Sequence, residues 1–132
     1  MLRIIKSNRQ YPKKVAIKEI KEMFSKSLYK PTYIVAEENK GIITAFGGFN
    51  PSWMDSMIFN MFWVNTNPKY KNKGIGSKLI KELIKRIKSI KEKPKAKMIV
   101  ISTKIPSFYR KFGFKRITSK YDREYVLMAL NI

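Results

Sequence analysis

The spacing of apolar residues along the chain predicts helices and strands in a mixed order. Apolar residues recur at helical spacing from Ala16 to Leu28 and from Ile75 to Ile90, which indicates helices with one buried face. A shorter helix is expected from Pro106 to Phe112. Runs rich in β-branched and aromatic residues predict strands, approximately at Leu2 to Lys6, Thr32 to Glu37, Ile42 to Phe49, Met57 to Val64, Lys97 to Ser102, Phe114 to Thr118 and Tyr125 to Leu130.

The element order is therefore β-α-β-β-β-α-β-α-β-β, in a chain of 132 residues without a linker or repeat. Glu38 to Gly41 reads as a hairpin turn between antiparallel strands. The apolar run Met57 to Val64 lacks alternation, so it belongs in the middle of a sheet that is covered on both faces. We expect a single domain over residues 1–132 of class α/β (α+β), with a mixed central sheet of six to seven strands flanked by helices.

Composition excludes several kinds of chemistry. The chain has neither cysteine nor histidine, which removes disulfides, thiolate zinc sites, cysteine nucleophiles and histidine triads, and no metal site is expected. No apolar run reaches the roughly 18 residues that span a bilayer, and the N-terminus lacks the apolar segment of a signal peptide. We therefore expect a soluble, cytoplasmic protein.

The net charge leaves two interpretations open. Twenty-nine Lys and Arg residues against 9 Asp and Glu residues give a formal charge of +20, which attracts polyanions and repels polycationic substrates. A nucleic-acid-associated protein is one interpretation. A compositional bias toward lysine is the other, and it is favoured because the lysines are distributed along the chain and arginine is the better reader of bases and phosphates.

The segment from Val64 to Leu79 predicts an anion site. An apolar strand ends there in a polar turn, passes Gly74 and Gly76, and opens directly into the long helix. Glycines allow close approach of a ligand to the backbone, and the first turn of a helix leaves N–H groups without internal partners. The spacing matches neither a dinucleotide fingerprint nor a Walker loop. A phosphate is the expected ligand.

Two motifs in register resemble those of the GNAT acyltransferase superfamily. The first is Lys71-Asn72-Lys73-Gly74-Ile75-Gly76, preceded by Val64 and by Pro68-Lys69-Tyr70. The second is Phe108-Tyr109-Arg110-Lys111-Phe112-Gly113-Phe114, about thirty residues later. The element order of the whole chain is also similar to that of the family.

The resemblance implies a fold, a co-substrate and a site. It implies binding of acetyl-CoA, whose pyrophosphate would lie on the backbone N–H groups of the loop. The central strand would splay from its parallel neighbour, and the backbone at Val64 would polarise the thioester carbonyl. Ser102 replaces an asparagine of many members. The expected cofactor-binding residues are thus Val64, Lys71, Asn72, Lys73, Gly74, Ile75, Gly76, Ser77 and Ser102.

The resemblance further implies direct acetyl transfer to an amine, with Tyr109 protonating the leaving CoA thiolate. A plainer role for Tyr109 is packing beside the neighbouring phenylalanines. Asn60 stands where several members place a glutamate base, and it could hold a water; Asp55 and Glu124 are weaker candidates for the base. The sequence does not identify the acceptor amine. An alternative function is that of a nucleic-acid-associated protein or of an acyltransferase that acts on an RNA-linked amine such as aminoacyl-tRNA. The sequence is compatible with either a monomer or a homodimer.

Overall fold

The computed structural model describes residues 32–38, 42–120 and 124–132. Within these ranges the chain forms a six-stranded sheet of order β1-β2-β3-β4-β6-β5, with two α-helices and a short 3-10 helix. The strands are β1 (Thr32–Glu38), β2 (Ile42–Pro51), β3 (Ile58–Thr66), β4 (Met98–Thr103), β5 (Lys115–Arg116) and β6 (Val126–Asn131). The helices are the 3-10 turn Pro68–Tyr70, α1 (Ile75–Lys88) and α2 (Pro106–Arg110).

The sheet is mixed because of one crossover. Strands β3 and β4 are parallel and are joined through α1, whereas β1 with β2, β2 with β3, β4 with β6 and β5 with β6 are antiparallel. This arrangement confirms the predicted strand, helix and strand unit and the central position of the Met57 to Val64 run. It also confirms the expected mixed α/β class.

The core lies between α1 and one face of the sheet. Leu79, Ile80, Leu83 and Ile87 are the buried residues of α1, and their spacing is that of a helix with one apolar face. They pack in one cluster with alternate residues of the strands, since successive side chains of a strand point to opposite faces. The strand residues of this cluster include Ala45, Phe49, Phe59, Met61, Ile99, Ile101, Val126 and Met128.

Several predicted boundaries differ from those observed. Strand β3 continues to Thr66, two residues beyond the apolar run, and α1 ends at Lys88 although Ile90 still packs against the core. The strand expected at Phe114 to Thr118 contains only Lys115 and Arg116, because Phe114 turns into the core. The strand expected at Leu2 to Lys6, the first helix and the residues at the centre of the first hairpin turn lie outside the described residues.

The helices α1 and α2 are too short or too polar to cross a bilayer, and so is every other helix of the described ranges.

Candidate functional site

A β-bulge near the end of β3 turns Val64 toward α1. Gly48 pairs with Phe62 and Phe46 pairs with Asn65, so Trp63 and Val64 together face the single residue between them on β2. Trp63 has a φ of 54°, a conformation that a non-glycine residue rarely adopts. Because the extra residue reverses the alternation of side chains, Val64 packs against the core cluster beneath α1.

Strands β3 and β4 separate at the same level. Their parallel pairing covers only Ile58 with Met98, Phe59 with Ile99, and Asn60 with Val100. Beyond Asn60, β3 runs on to Thr66 and β4 to Thr103 without further pairs in this register. The splay that the family resemblance implied is therefore present, and it opens beside the bulge.

A 3-10 turn anchors the loop that follows β3. The backbone N–H of Asn67 donates to the carbonyl of Thr44 at 2.7 Å, which extends the β2–β3 ladder by one bond. The Asn67 side chain is buried, and its Oδ1 accepts from the Lys69 N–H at 3.1 Å. This side-chain cap fixes the start of the turn, which is the role for which Asn is favoured. The loop therefore leaves β3 in a defined direction.

The loop backbone presents free N–H groups at the start of α1. Asn72 and Gly74 have φ values of 62° and 76°, and Gly74 is the N-cap of α1 without any side-chain cap. The first intrahelical bond of α1 runs from the Lys78 N–H to the Gly74 carbonyl at 3.1 Å. Hence the N–H groups of residues 75, 76 and 77 have no acceptor within the helix, and the positive end of the helix dipole lies here.

Glycine is needed at positions 74 and 76 for different reasons. A Cβ added at Gly74 would meet nothing within 4 Å, so that position demands glycine for its backbone conformation alone. A Cβ added at Gly76 would lie 3.3 Å from Thr66 Oγ1 and 3.7 Å from Phe108 Cζ. The absence of a side chain at Gly76 thus lets the first turn of α1 pack closely between the end of β3 and α2.

These elements enclose a cavity of about 530 Å³ that we call the loop cavity. It brings together the end of β3, the loop, the first turn of α1 and α2, which come from separate parts of the sequence. Lys71 from the loop and Lys111, the residue that follows α2, bring positive charge to its lining. Its lining residues are Val64, Thr66, Tyr70, Lys71, Asn72, Gly74, Ile75, Gly76, Ser77, Ile105, Phe108, Tyr109 and Lys111.

Tyr109 is the buried titratable group of this cavity. Its side chain is 7% exposed and makes edge-to-face contacts with Phe108 and Phe114, at centroid distances of 5.1 and 5.8 Å. Burial raises the pKa of Tyr109 to about 12, because the phenolate would be poorly solvated. Tyr109 is therefore a neutral O–H donor throughout the physiological pH range.

A second cavity of about 420 Å³, which we call the strand cavity, lies at the splay. Asn60, Val100 and Ser102 alternate with residues of the core cluster along β3 and β4, so they belong to the sheet face opposite α1. The cavity is formed by β3, β4 and the beginning of β6. Its lining residues are Asn60, Met61, Phe62, Trp63, Val100, Ile101, Ser102, Tyr125 and Leu127.

The predicted site residues are divided between these two places. Val64, Tyr109 and most of the loop line the loop cavity, whereas Asn60 and Ser102 line the strand cavity. Lys73 lies outside both and lines a neighbouring depression, where its Nζ is 5.4 Å from the Tyr70 ring centroid. The sequence analysis did not predict that Thr66, Ile105, Phe108 and Lys111 line the loop cavity. Phe108 and Lys111 belong to the second motif, so the motif could have indicated these two.

The acids considered as bases are placed less favourably than Asn60. Asp55 precedes β3, where its Oδ1 accepts from the Met57 N–H at 2.8 Å. At roughly 3.3 Å per residue, the part of β3 from Ile58 to Val64 alone separates it from Val64 by about 20 Å. Glu124 is exposed and adjacent to Tyr125. Within the described ranges, no three potential ligands among Asp and Glu cluster as a metal site would require.

Comparison with known families decides the class of the chain. The family model "Acetyltransferase (GNAT) domain" matches residues 30–116, which is more than half of the sequence. The chain belongs to the GNAT acetyltransferase family. GNAT enzymes transfer an acyl group and use acyl-CoA as co-substrate with an amine as acceptor.

Solved structures show the same GNAT fold at low sequence identity. Escherichia coli ElaA is 14% identical and superposes with a TM-score of 0.69, covering 87% of this chain and 91% of that chain. The ribosomal-protein-S18-alanine N-acetyltransferase from Escherichia coli is 17% identical, with a TM-score of 0.65 and coverage of 86% and 76%. A GNAT acetyltransferase from Streptococcus pneumoniae is 17% identical, with a TM-score of 0.62 and coverage of 84% and 72%. No curated protein matches the sequence significantly.

Proposed function

We propose that this protein is an acetyl-CoA-dependent N-acetyltransferase that transfers the acetyl group directly to an amine, with Tyr109 as general acid. The observation that carries the proposal is the loop cavity. The start of α1, whose first N–H groups have no helical acceptor, the bulged residue Val64 and a buried neutral tyrosine line one space, although the three come from different elements, and this supports the proposal. Membership of the GNAT family indicates the class of reaction, which is acyl transfer from acyl-CoA.

The loop fits the pyrophosphate of CoA. The N–H groups of residues 75 to 77 lack helical acceptors, and the left-handed conformations of Asn72 and Gly74 are typical of backbone turns that bind anions. Lys71 and Lys111 line the cavity and add positive charge. Acetyl-CoA would supply an activated thioester here, and the residues that would hold its pyrophosphate are Lys71, Asn72, Gly74, Ile75, Gly76 and Ser77. Lys73 would contribute through its charge from the neighbouring depression.

The splay and the bulge fit the acyl-bearing arm. Backbone groups of β3 beyond Asn60 are not paired with β4, so they can hydrogen-bond to a ligand that enters between the strands. In this proposal the backbone N–H at Val64 stabilises negative charge on the acyl oxygen. A preorganised donor of this kind contributes roughly 10²- to 10³-fold in rate. Ser102, from the opposite strand, lines the far side of the same opening.

The environment of Tyr109 suits a donor to the leaving sulfur. A pKa of about 12 keeps the phenol protonated, but it also makes complete proton transfer to a free thiolate unfavourable, since a typical thiol has a pKa of about 8.5. Tyr109 therefore acts chiefly by donating a hydrogen bond to the charge that develops on sulfur. Solvent completes the protonation afterwards.

Asn60 is proposed to hold the water that receives the amine proton. Its amide can both donate to and accept from a water, but it cannot itself take a proton. It lines the strand cavity at the last β3–β4 pair, roughly 13 Å along β3 from Val64. In this scheme the amine approaches from the strand cavity, and the CoA moiety occupies the loop cavity on the other face.

Ligand-dependent stability together with turnover tests the function. Acetyl-CoA at about 100 times its Kd should raise the free energy of unfolding by about 2.7 kcal/mol, and Tm by roughly 10 °C. CoA should then be released in proportion to added amine, as followed by a thiol reagent. An unchanged Tm with saturating acetyl-CoA, or CoA release that is independent of any amine, would contradict the proposal.

A further inference from the structure

The lining of the strand cavity, a space of about 420 Å³, includes three aromatic residues. Phe62 and Trp63 meet edge to face at 5.1 Å and 88° on β3, and Tyr125, next to the start of β6, is the third aromatic residue of the lining. Leu127 and Val100 add aliphatic surface. Binding cavities for small molecules are about 300 to 1,000 Å³, so this one suits a compact ligand with a bulky apolar group.

The charge beside the cavity is positive. Lys104 is not itself a lining residue, but its Nζ lies 5.0 Å from the centroid of the Tyr125 ring, so this cation–π contact places the ammonium next to a residue of the lining. Among the described residues, the lining contains neither Asp nor Glu. The described acid closest along the chain, Glu124, is exposed. A ligand with additional positive charge would therefore meet Lys104 without a compensating carboxylate in the described lining.

Polar groups occur where the cavity meets the splay. Asn60 and Ser102 lie on neighbouring strands on the same sheet face, at and just beyond the last β3–β4 pair. The Asn60 amide oxygen can accept a hydrogen bond from an amine N–H. The cavity thus combines polar groups next to the splay, an apolar wall, and a cation in contact with the lining residue Tyr125.

From this arrangement, and resting on the acetyltransferase function proposed above, we infer that the acceptor is a small primary amine that bears both a large apolar or aromatic group and a carboxylate. Free apolar α-amino acids are this class. The amine nitrogen forms the bond to the acetyl carbon as the carbon–sulfur bond breaks. Its surplus proton leaves to water at Asn60, and the sulfur departs as a thiolate that accepts a hydrogen bond from the Tyr109 O–H and is then protonated by solvent.

A comparison of three amines tests the class directly. L-Phenylalanine, L-phenylalaninamide and spermidine are supplied with acetyl-CoA at the same pH and ionic strength, and kcat/KM, obtained by mass spectrometry of the acetylated product, is expressed per concentration of neutral amine, because the amide is the weaker base. The amide keeps the ring and the amine but lacks the carboxylate. We expect kcat/KM for phenylalanine to exceed that for the amide about tenfold, because a hydrogen bond to a charged group is lost. Spermidine should stay at the background rate.

The variant Lys104→Met tests whether Lys104 contacts the carboxylate of the acceptor. Lys104 is exposed, so its replacement should leave the fold unchanged. We expect KM for phenylalanine to rise about tenfold, with KM for phenylalaninamide and for acetyl-CoA unchanged. Lys91→Met, an equally exposed lysine on the connection after α1, is the matched control and should alter none of the three.

The failure of this inference is distinguishable from failure of the acetyltransferase function. Isothermal titration of acetyl-CoA onto the same preparation, with amine-dependent CoA release, reports on the function alone. If acetyl-CoA binds but phenylalanine is not acetylated, or if spermidine or the amide is used at least as well, the inferred acceptor class is wrong. An equal loss with all amines in Lys104→Met would also overturn it.

Discussion

The two cavities differ in how they are built. The loop cavity depends largely on one continuous segment, residues 64 to 77, and on backbone N–H groups whose direction is fixed by φ angles. The strand cavity depends on side chains that β3, β4 and β6 bring together from distant parts of the sequence. A backbone site tolerates side-chain changes that preserve its conformation, whereas a side-chain site changes its specificity with each substitution. The co-substrate should thus be bound by a tolerant site and the acceptor by a variable one.

Replacing Tyr109 by Phe should have the largest effect, because in the proposed mechanism this residue donates a hydrogen bond to the reacting sulfur from the loop cavity. We expect kcat to fall about 10²- to 10³-fold, the range for loss of one donor to developing charge. The Kd of acetyl-CoA should not change, since the ring and its contacts with Phe108 and Phe114 remain. Steady-state kinetics and calorimetric titration measure the two quantities. A weakened Kd with an unchanged kcat would indicate a packing role only.

Substitutions at Gly74 test whether acetyl-CoA is bound mainly by the loop backbone or by side chains. Valine at a φ of 76° is strained by about 1 to 3 kcal/mol, so Gly74→Val should distort the loop and weaken acetyl-CoA binding about 100-fold. Gly74→Asn is the matched control, because Asn adopts this conformation readily and a Cβ there meets no atom within 4 Å. Calorimetry should show nearly normal binding for the asparagine variant. If both variants bind alike, the backbone conformation is not what holds the ligand.

The buried phenol should also appear in alkaline stability. Its pKa is about 12 in the folded protein and about 10 in the unfolded chain, so the unfolded state loses the proton first as pH rises. The stabilisation is complete below pH 10 and is lost toward pH 12, amounting to about 2 to 3 kcal/mol. Denaturant unfolding of wild type and Tyr109→Phe should therefore diverge over this window, with the wild type falling faster. Parallel curves would mean that Tyr109 is solvated.

The lysines at the edge of the loop cavity should have the smallest effect. Lys71 and Lys111 are exposed, and exposed charge pairs are worth about 0.2 to 1 kcal/mol, so alanine at either should weaken acetyl-CoA binding about two- to fivefold. The loss should shrink as salt is added. Lys91→Ala, remote from the cavity, serves as control in the same titrations. Losses comparable with that of Gly74→Val would show that side chains, not backbone, dominate.

The same contrast explains what could be predicted from sequence. Helix α1 and its glycine-containing start were predictable because periodicity and turn residues act locally, and the prediction of an anion site at this start follows from them. The β-bulge in β3 was not predictable, because Trp63 adopts a positive φ, and a tryptophan does not indicate this conformation as a glycine or an asparagine would. Nor does the sequence show that Phe62 and Tyr125 line one space with Asn60, because that depends on strand register and on the splay. Phe108 and Lys111 were signalled only through their motif.

A crystal structure with acetonyl-CoA, a thioether analogue that cannot transfer its acyl group, tests the division of the site most directly. We predict the pyrophosphate on the N–H groups of residues 75 to 77, the ketone oxygen at the backbone N–H of Val64, and the sulfur within hydrogen-bonding distance of Tyr109 Oη. The methyl ketone should point toward Asn60 in the strand cavity. A pyrophosphate bound elsewhere, or a sulfur out of reach of Tyr109, would contradict the proposed mechanism.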